Sequence, residues 1–139
     1  MNNLVELANA IEMAVAPAFI LTGVGAILTV MATRLARIVD RFRILKESNN
    51  FKSKDKESEM RYLLLRAKYT HWAITFVTIA ALLLCILIAS IFIATEIQFN
   101  LFNKLITLLF IATMAAVIIG LLTFLKEVSL SKNVISIKK

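Results

Sequence analysis

The chain has 139 residues, of which 60% are hydrophobic and 18% charged, with a net charge of +7 and a mean hydropathy of +0.83. Soluble domains carry roughly 45–50% apolar and about 25% charged residues, so this is no ordinary soluble domain, and three glycines and one proline exclude a collagenous or disordered chain. One cysteine and one histidine leave no intramolecular disulfide, cysteine-cluster zinc site or multi-histidine metal centre within one chain.

In chain order, Asn3-Leu4-Val5-Glu6 reads as an N-cap with an acidic residue three positions on. Leu4, Leu7, Ile11 and Val15 mark an apolar face over residues 4–15, an outer interfacial stretch or helix start. Pro17 cannot donate to the carbonyl at position 13, so it either kinks the first helix or starts it. Residues 13–33 carry no charge; at 1.5 Å per residue they cover about 31 Å, matching a hydrocarbon core of roughly 30 Å. Glu6 and Glu12 without any preceding Lys or Arg argue against a cleaved signal peptide, so this helix is expected to stay.

Residues 34–68 hold eleven Lys and Arg. Within them Leu35, Ile38, Phe42 and Leu45 recur at helical spacing, as do Met60, Leu63, Leu64 and Ala67, with breaker signals at Ser48-Asn49-Asn50 and Ser53-Lys54-Asp55-Lys56 between. The first and second helices therefore extend into a basic helical hairpin. Residues 70–95 and 105–125 are the second and third apolar runs. Tyr62, Tyr69 and Trp72 sit near the basic end of the second, where amphipathic rings favour the headgroup layer. Lys and Arg number none over residues 1–12, one before the third run (Lys104) and four over the tail 126–139. That alternation places the N-terminus outside and the hairpin and C-terminus in the cytoplasm. The predicted fold is an all-α integral membrane protein with three transmembrane helices, a single membrane domain over 1–139.

A wheel of the first helix gathers Ala14, Ala18, Thr22, Gly25, Thr29, Ala32, Thr33, Ala36 and Asp40 within about 50° of one direction. Arg43 and Glu47 continue the line, while Val24, Ile27, Met31, Leu35 and Ile38 take the other half, suited to acyl chains or an apolar neighbour. Small residues permit close helix approach, so the small face either packs within the bundle or meets copies of itself around a water-filled passage. Ala112, Ala116 and Gly120 form a shorter ridge on the third helix. Asp40, three residues from Arg37 and Arg43 and beside Arg41, suggests an ion-pair network of Arg34, Arg37, Asp40 and Arg41, worth a few tenths of a kcal/mol per pair. His71 shares a stripe with Thr75 and Thr78, suited to an interfacial hydrogen bond, and Cys85 reads as a small hydrophobe.

No nucleophile elbow, phosphate loop, histidine pair or intramembrane carboxylate pair is present, so neither an enzyme nor a cofactor or metal is expected. The basic excess reads as topogenic and attracted to anionic lipid, not to nucleic acid.

At Ala16-Pro17, Gly23, Gly25 and above all Arg34-Leu35-Ala36-Arg37-Ile38-Val39-Asp40-Arg41-Phe42-Arg43, the chain resembles a family of small bacterial membrane proteins catalogued as domain of unknown function 2721. The resemblance covers the first two helices and most of the chain. Where relatives have Asn-Arg-Ala-Ile at the start of the second helix, this chain has His71-Trp72-Ala73-Ile74. The resemblance implies a bacterial inner-membrane protein and carries no activity. From the residues, the expected function is a homo-oligomer lined by the first helix, acting as a small ion channel. The alternative is a membrane-anchored scaffold or accessory subunit whose basic hairpin binds a partner protein or anionic lipid.

Overall fold

The computed structural model describes residues 2–47, 54–96 and 100–137, with side chains described for 4–47, 56–94 and 104–130. It comprises three helices, α1 (Asn2–Glu47), α2 (Lys54–Glu96) and α3 (Asn100–Ile137). Each contains a stretch long and apolar enough to cross a membrane, and the described residues include no strand. At 46, 43 and 38 residues, the helices measure about 69, 65 and 57 Å, so each extends well beyond the apolar core it can span.

Several element boundaries differ from the sequence expectation. Residues 4–15 are the first turns of α1 itself, and the helix runs through Pro17 without interruption. Pro17 therefore does not start the helix; its missing N–H removes one rung, and its ring is buried in the bundle. α2 is already helical at Lys54, inside the run read as a breaker. α3 begins before Lys104 and continues to Ile137, so most of the expected tail is helix. The turn signals at Ser48-Asn49-Asn50 and the cap side chain of Asn3 lie outside the described residues.

One periodicity organises the packing. In α1 the buried and half-buried positions include 10, 14, 17, 21, 24, 28, 31, 35, 38, 42 and 45. In α2 they include 63, 66, 70, 73, 77, 80, 84, 87 and 91, and in α3 106, 109, 113, 116, 120, 123, 127 and 130. Steps alternate between three and four residues, averaging about 3.5, which is the heptad seam of left-handed coiled-coil packing. α2 lies between the other two and packs against both, whereas α1 and α3 scarcely touch. Val24 and Met31 of α1 meet Ala73, Val77, Leu84 and Leu87 of α2 in the main core. A second cluster, Ile38, Leu45 and Leu63 with Phe42 and Ala67, closes the hairpin end. Leu64, expected in that stripe, points outward at 54% exposure.

α2 and α3 approach closely at Gly120. A Cβ built there would fall 2.6 Å from Val77 Cγ2 and 3.4 Å from the Ala73 carbonyl oxygen. Far from the basic end, α1 and α3 leave an apolar cleft of about 680 Å³ with Leu87 and Ile91 of α2 at its floor and Pro17 and Phe110 on its walls.

These contacts separate two glycines. Gly120→Ala should destabilise the fold by about 1–3 kcal/mol, because β-branched Val77 has little rotamer freedom to retreat. Gly25→Ala, whose Cβ meets nothing within 4 Å, should leave unfolding in mixed micelles unchanged or gain up to about 1 kcal/mol from helix propensity.

Candidate functional site

The heptad register of α3 carries an acidic residue where an apolar one would be expected. Seven positions beyond Gly120 on the same seam stands Glu127, 0% exposed. A carboxylate in that position costs free energy unless it is fully paired, and two arginines supply the pairing. Arg66 of α2 donates to Glu127 Oε1 from Nε at 3.0 Å and from Nη2 at 2.7 Å. Arg34 of α1 donates from Nη1 to the other oxygen, Oε2, at 3.3 Å. Each carboxylate oxygen thus has its own guanidinium, and the three residues come from three different helices.

The surroundings hold those arginines in place. Arg34 lies over the Phe124 ring at 5.4 Å and Arg66 over the Tyr62 ring at 5.8 Å, distances at which a cation is attracted by the ring face. Tyr62 in turn donates its hydroxyl to the Leu130 carbonyl of α3, so it ties α2 to α3 instead of lying free at the membrane boundary. Trp72 and Tyr69 do face outward. Thr70, fully buried, donates to the Arg66 carbonyl at 3.0 Å.

Beside this triad, between α1 and α2, lies a cavity of about 230 Å³ lined by Arg34, Arg37, Arg41 and Arg66 over Ile38 and Leu63. Arg41 pairs with Glu59 of α2, donating from Nε at 3.1 Å and Nη2 at 2.9 Å. The expected ion-pair network along α1 is replaced by bonds between helices. Asp40 is exposed and has no ion pair among the described residues, and neither has Arg37. For Arg34 the reason is physical: beside the seam it reaches the buried Glu127 carboxylate, whereas an exposed pair on one helix is worth little. The Arg41–Glu59 pair is exposed, and its two donated hydrogen bonds favour it over Asp40 by geometry alone.

The small face of α1 stands on the far side from these contacts. Ala18, Thr22, Gly25, Thr29, Thr33, Ala36, Asp40 and Arg43 are all exposed, and only Ala14 of that group is buried. The bulky half packs on α2, so the small half is not the packing surface within the chain. Thr22, Thr29 and Thr33 donate to the carbonyls of Ala18, Gly25 and Thr29 at 3.2, 3.0 and 2.8 Å, satisfying their protons within the helix. On α3 the ridge divides: Gly120 is buried, Ala116 half-buried and Ala112 exposed. His71 is exposed, and its carbonyl accepts from Thr75 at 2.9 Å. Cys85 is also exposed. The described residues hold no group of three His, Cys, Asp or Glu able to bind a metal.

Glu127 escaped the sequence reading because both partners lie far along the chain. The available signal was its register, seven residues beyond Gly120 on α3's small ridge. A family model described as a protein of unknown function, DUF2721, matches residues 14–137. No curated protein and no solved structure matches the chain.

Glu127→Gln leaves two guanidinium groups facing each other without their counter-charge. It should cost about 1–3 kcal/mol, less than breaking a fully buried pair, because the arginines left behind keep some solvent contact. Equilibrium unfolding in mixed micelles measures it; a change below about 1 kcal/mol would remove the triad's structural role.

Proposed function

The chain belongs to the DUF2721 family, and we propose that it is a self-assembling membrane protein whose copies meet through the small face of α1 and enclose an ion-conducting passage. One observation carries this reading. α1 spends its bulky half on α2 and turns Ala18, Thr22, Gly25, Thr29 and Ala36 outward, where a lone chain would present them to lipid. Small residues gain little from acyl chains but allow helix backbones to approach closely, which is how membrane helices associate. Gly25 on this face meets no side chain within 4 Å in its own chain, so the space it leaves is free for a second copy.

The chemistry of that face suits a passage. Each threonine proton is already committed to its own helix, leaving oxygen lone pairs to face the opening as acceptors. Asp40 and Arg43 continue the line beyond the apolar span and would stand at its mouth. Three helices in one chain cannot themselves surround a pore, so conduction requires a ring of copies. The work is non-enzymatic in this reading, with no nucleic-acid partner. The Lys and Arg distribution supports insertion in a bacterial inner membrane with the N-terminus outside and the hairpin and C-terminus cytoplasmic.

The arginines gathered at the hairpin favour a second reading, in which the protein is a membrane-anchored accessory subunit that holds anionic lipid or a partner protein through its basic end. In that case self-association through α1 is unnecessary.

Native mass spectrometry from nanodiscs separates the two. The channel reading expects a closed oligomer that Gly25→Leu dissociates without altering unfolding of the single chain. It also expects Thr29→Leu to change ion flux in liposomes at least severalfold. A monomeric wild-type protein with no flux would eliminate the passage and leave the accessory reading.

A further inference from the structure

We propose that the cavity between α1 and α2 is a binding site for a phosphoryl group. This rests on the accessory reading's premise that the hairpin end meets anionic ligands, and deepens it from a diffuse basic surface to a defined pocket. The chain has six arginines and ten lysines. Four of the six arginines, Arg34, Arg37, Arg41 and Arg66, line this one cavity of about 230 Å³, and no lysine does. Lysine would suffice to set topology or attract a negative surface. The guanidinium is distinguished by a planar fork of five N–H donors that matches phosphate oxygens two at a time.

The charges do not cancel. Glu127 engages Arg34 and Arg66, and Glu59 engages Arg41, so four cations face two carboxylates. Arg37 has neither an ion pair nor a hydrogen bond among the described residues. The committed arginines retain donors too: Nη1 of Arg66 and of Arg41 takes no part in the carboxylate bonds. Gathering like charges is unfavourable in the empty cavity and becomes favourable when an anion enters. Ile38 and Leu63 give the site an apolar side. Arg34 is also the first charge after the apolar run of residues 13–33, which puts the cavity at headgroup depth. Both a phospholipid headgroup and a soluble phosphate present the chemistry it would hold.

The test uses the full chain in nanodiscs of phosphatidylcholine, with and without phosphatidylglycerol, and in detergent with inorganic phosphate or pyrophosphate. Bound lipid is read by native mass spectrometry and stabilisation by thermal unfolding. Wild type and Arg61→Gln, which removes an exposed arginine outside the cavity, should both be stabilised. Arg37→Gln should weaken binding about tenfold, as expected for losing one charge-assisted contact, and Arg37→Lys should recover only part of it. Stabilisation by phosphatidylglycerol alone identifies the headgroup as ligand, and stabilisation by free phosphate in detergent identifies a soluble one. Equal losses in Arg37→Gln and Arg61→Gln would overturn the pocket while leaving the basic end as a diffuse lipid-binding surface. A wild-type protein indifferent to every anion would overturn both.

Discussion

A carboxylate sealed inside a helical bundle dictates much of what surrounds it. Glu127 could not remain on the seam of α3 without positive charge on both of its oxygens, and Arg34 and Arg66 provide it from α1 and α2. α1 and α3 otherwise scarcely touch, and the Arg34–Glu127 pair links these outer helices at the basic end. An apolar seam tolerates a shifted register at modest cost, since one leucine packs much like another. A buried ion pair does not, because displacement leaves a charge uncompensated. A shift of α3 along the seam would therefore cost more at Glu127 than at any of its apolar positions.

The helical seam was present in the sequence but was crowded by a stronger pattern. A wheel of α1 separates bulky from small residues cleanly, and it placed Val24, Met31 and Ile38 together on the side that proves to face α2. What the wheel could not decide was which side met protein, because a bilayer accepts apolar residues on both sides. The long helices and basic hairpin followed from charge-free runs and helical spacing. Their ends did not, because Lys54–Lys56 and the residues after 125 are polar enough to read as turn or tail and yet propagate as helix.

The polar site was legible only in part. Arg34, Arg37 and Arg41 were identified, but with Asp40 as their local partner. The partners that the fold provides for Arg34 and Arg41 are 93 and 18 residues away. Pair rules along one helix see only three or four residues ahead, whereas the deciding electrostatics runs between helices. Tyr62 illustrates the same limit: its position suggested a headgroup anchor, and the fold gives its hydroxyl to the Leu130 carbonyl.

The unbroken length of α1 has a mechanical consequence. A continuous helix of about 69 Å is more than twice the length needed to cross a core of roughly 30 Å. Ten degrees of tilt, well within the spread of membrane helices, shifts one end relative to the other by about 12 Å. α1 packs on α2 along its length and is tied to α3 by charge at the basic end, while an apolar cleft of about 680 Å³ separates it from α3 at the other. A tilt of α1 relative to α3 would therefore be taken up in the cleft at one end and resisted by the Arg34–Glu127 pair at the other.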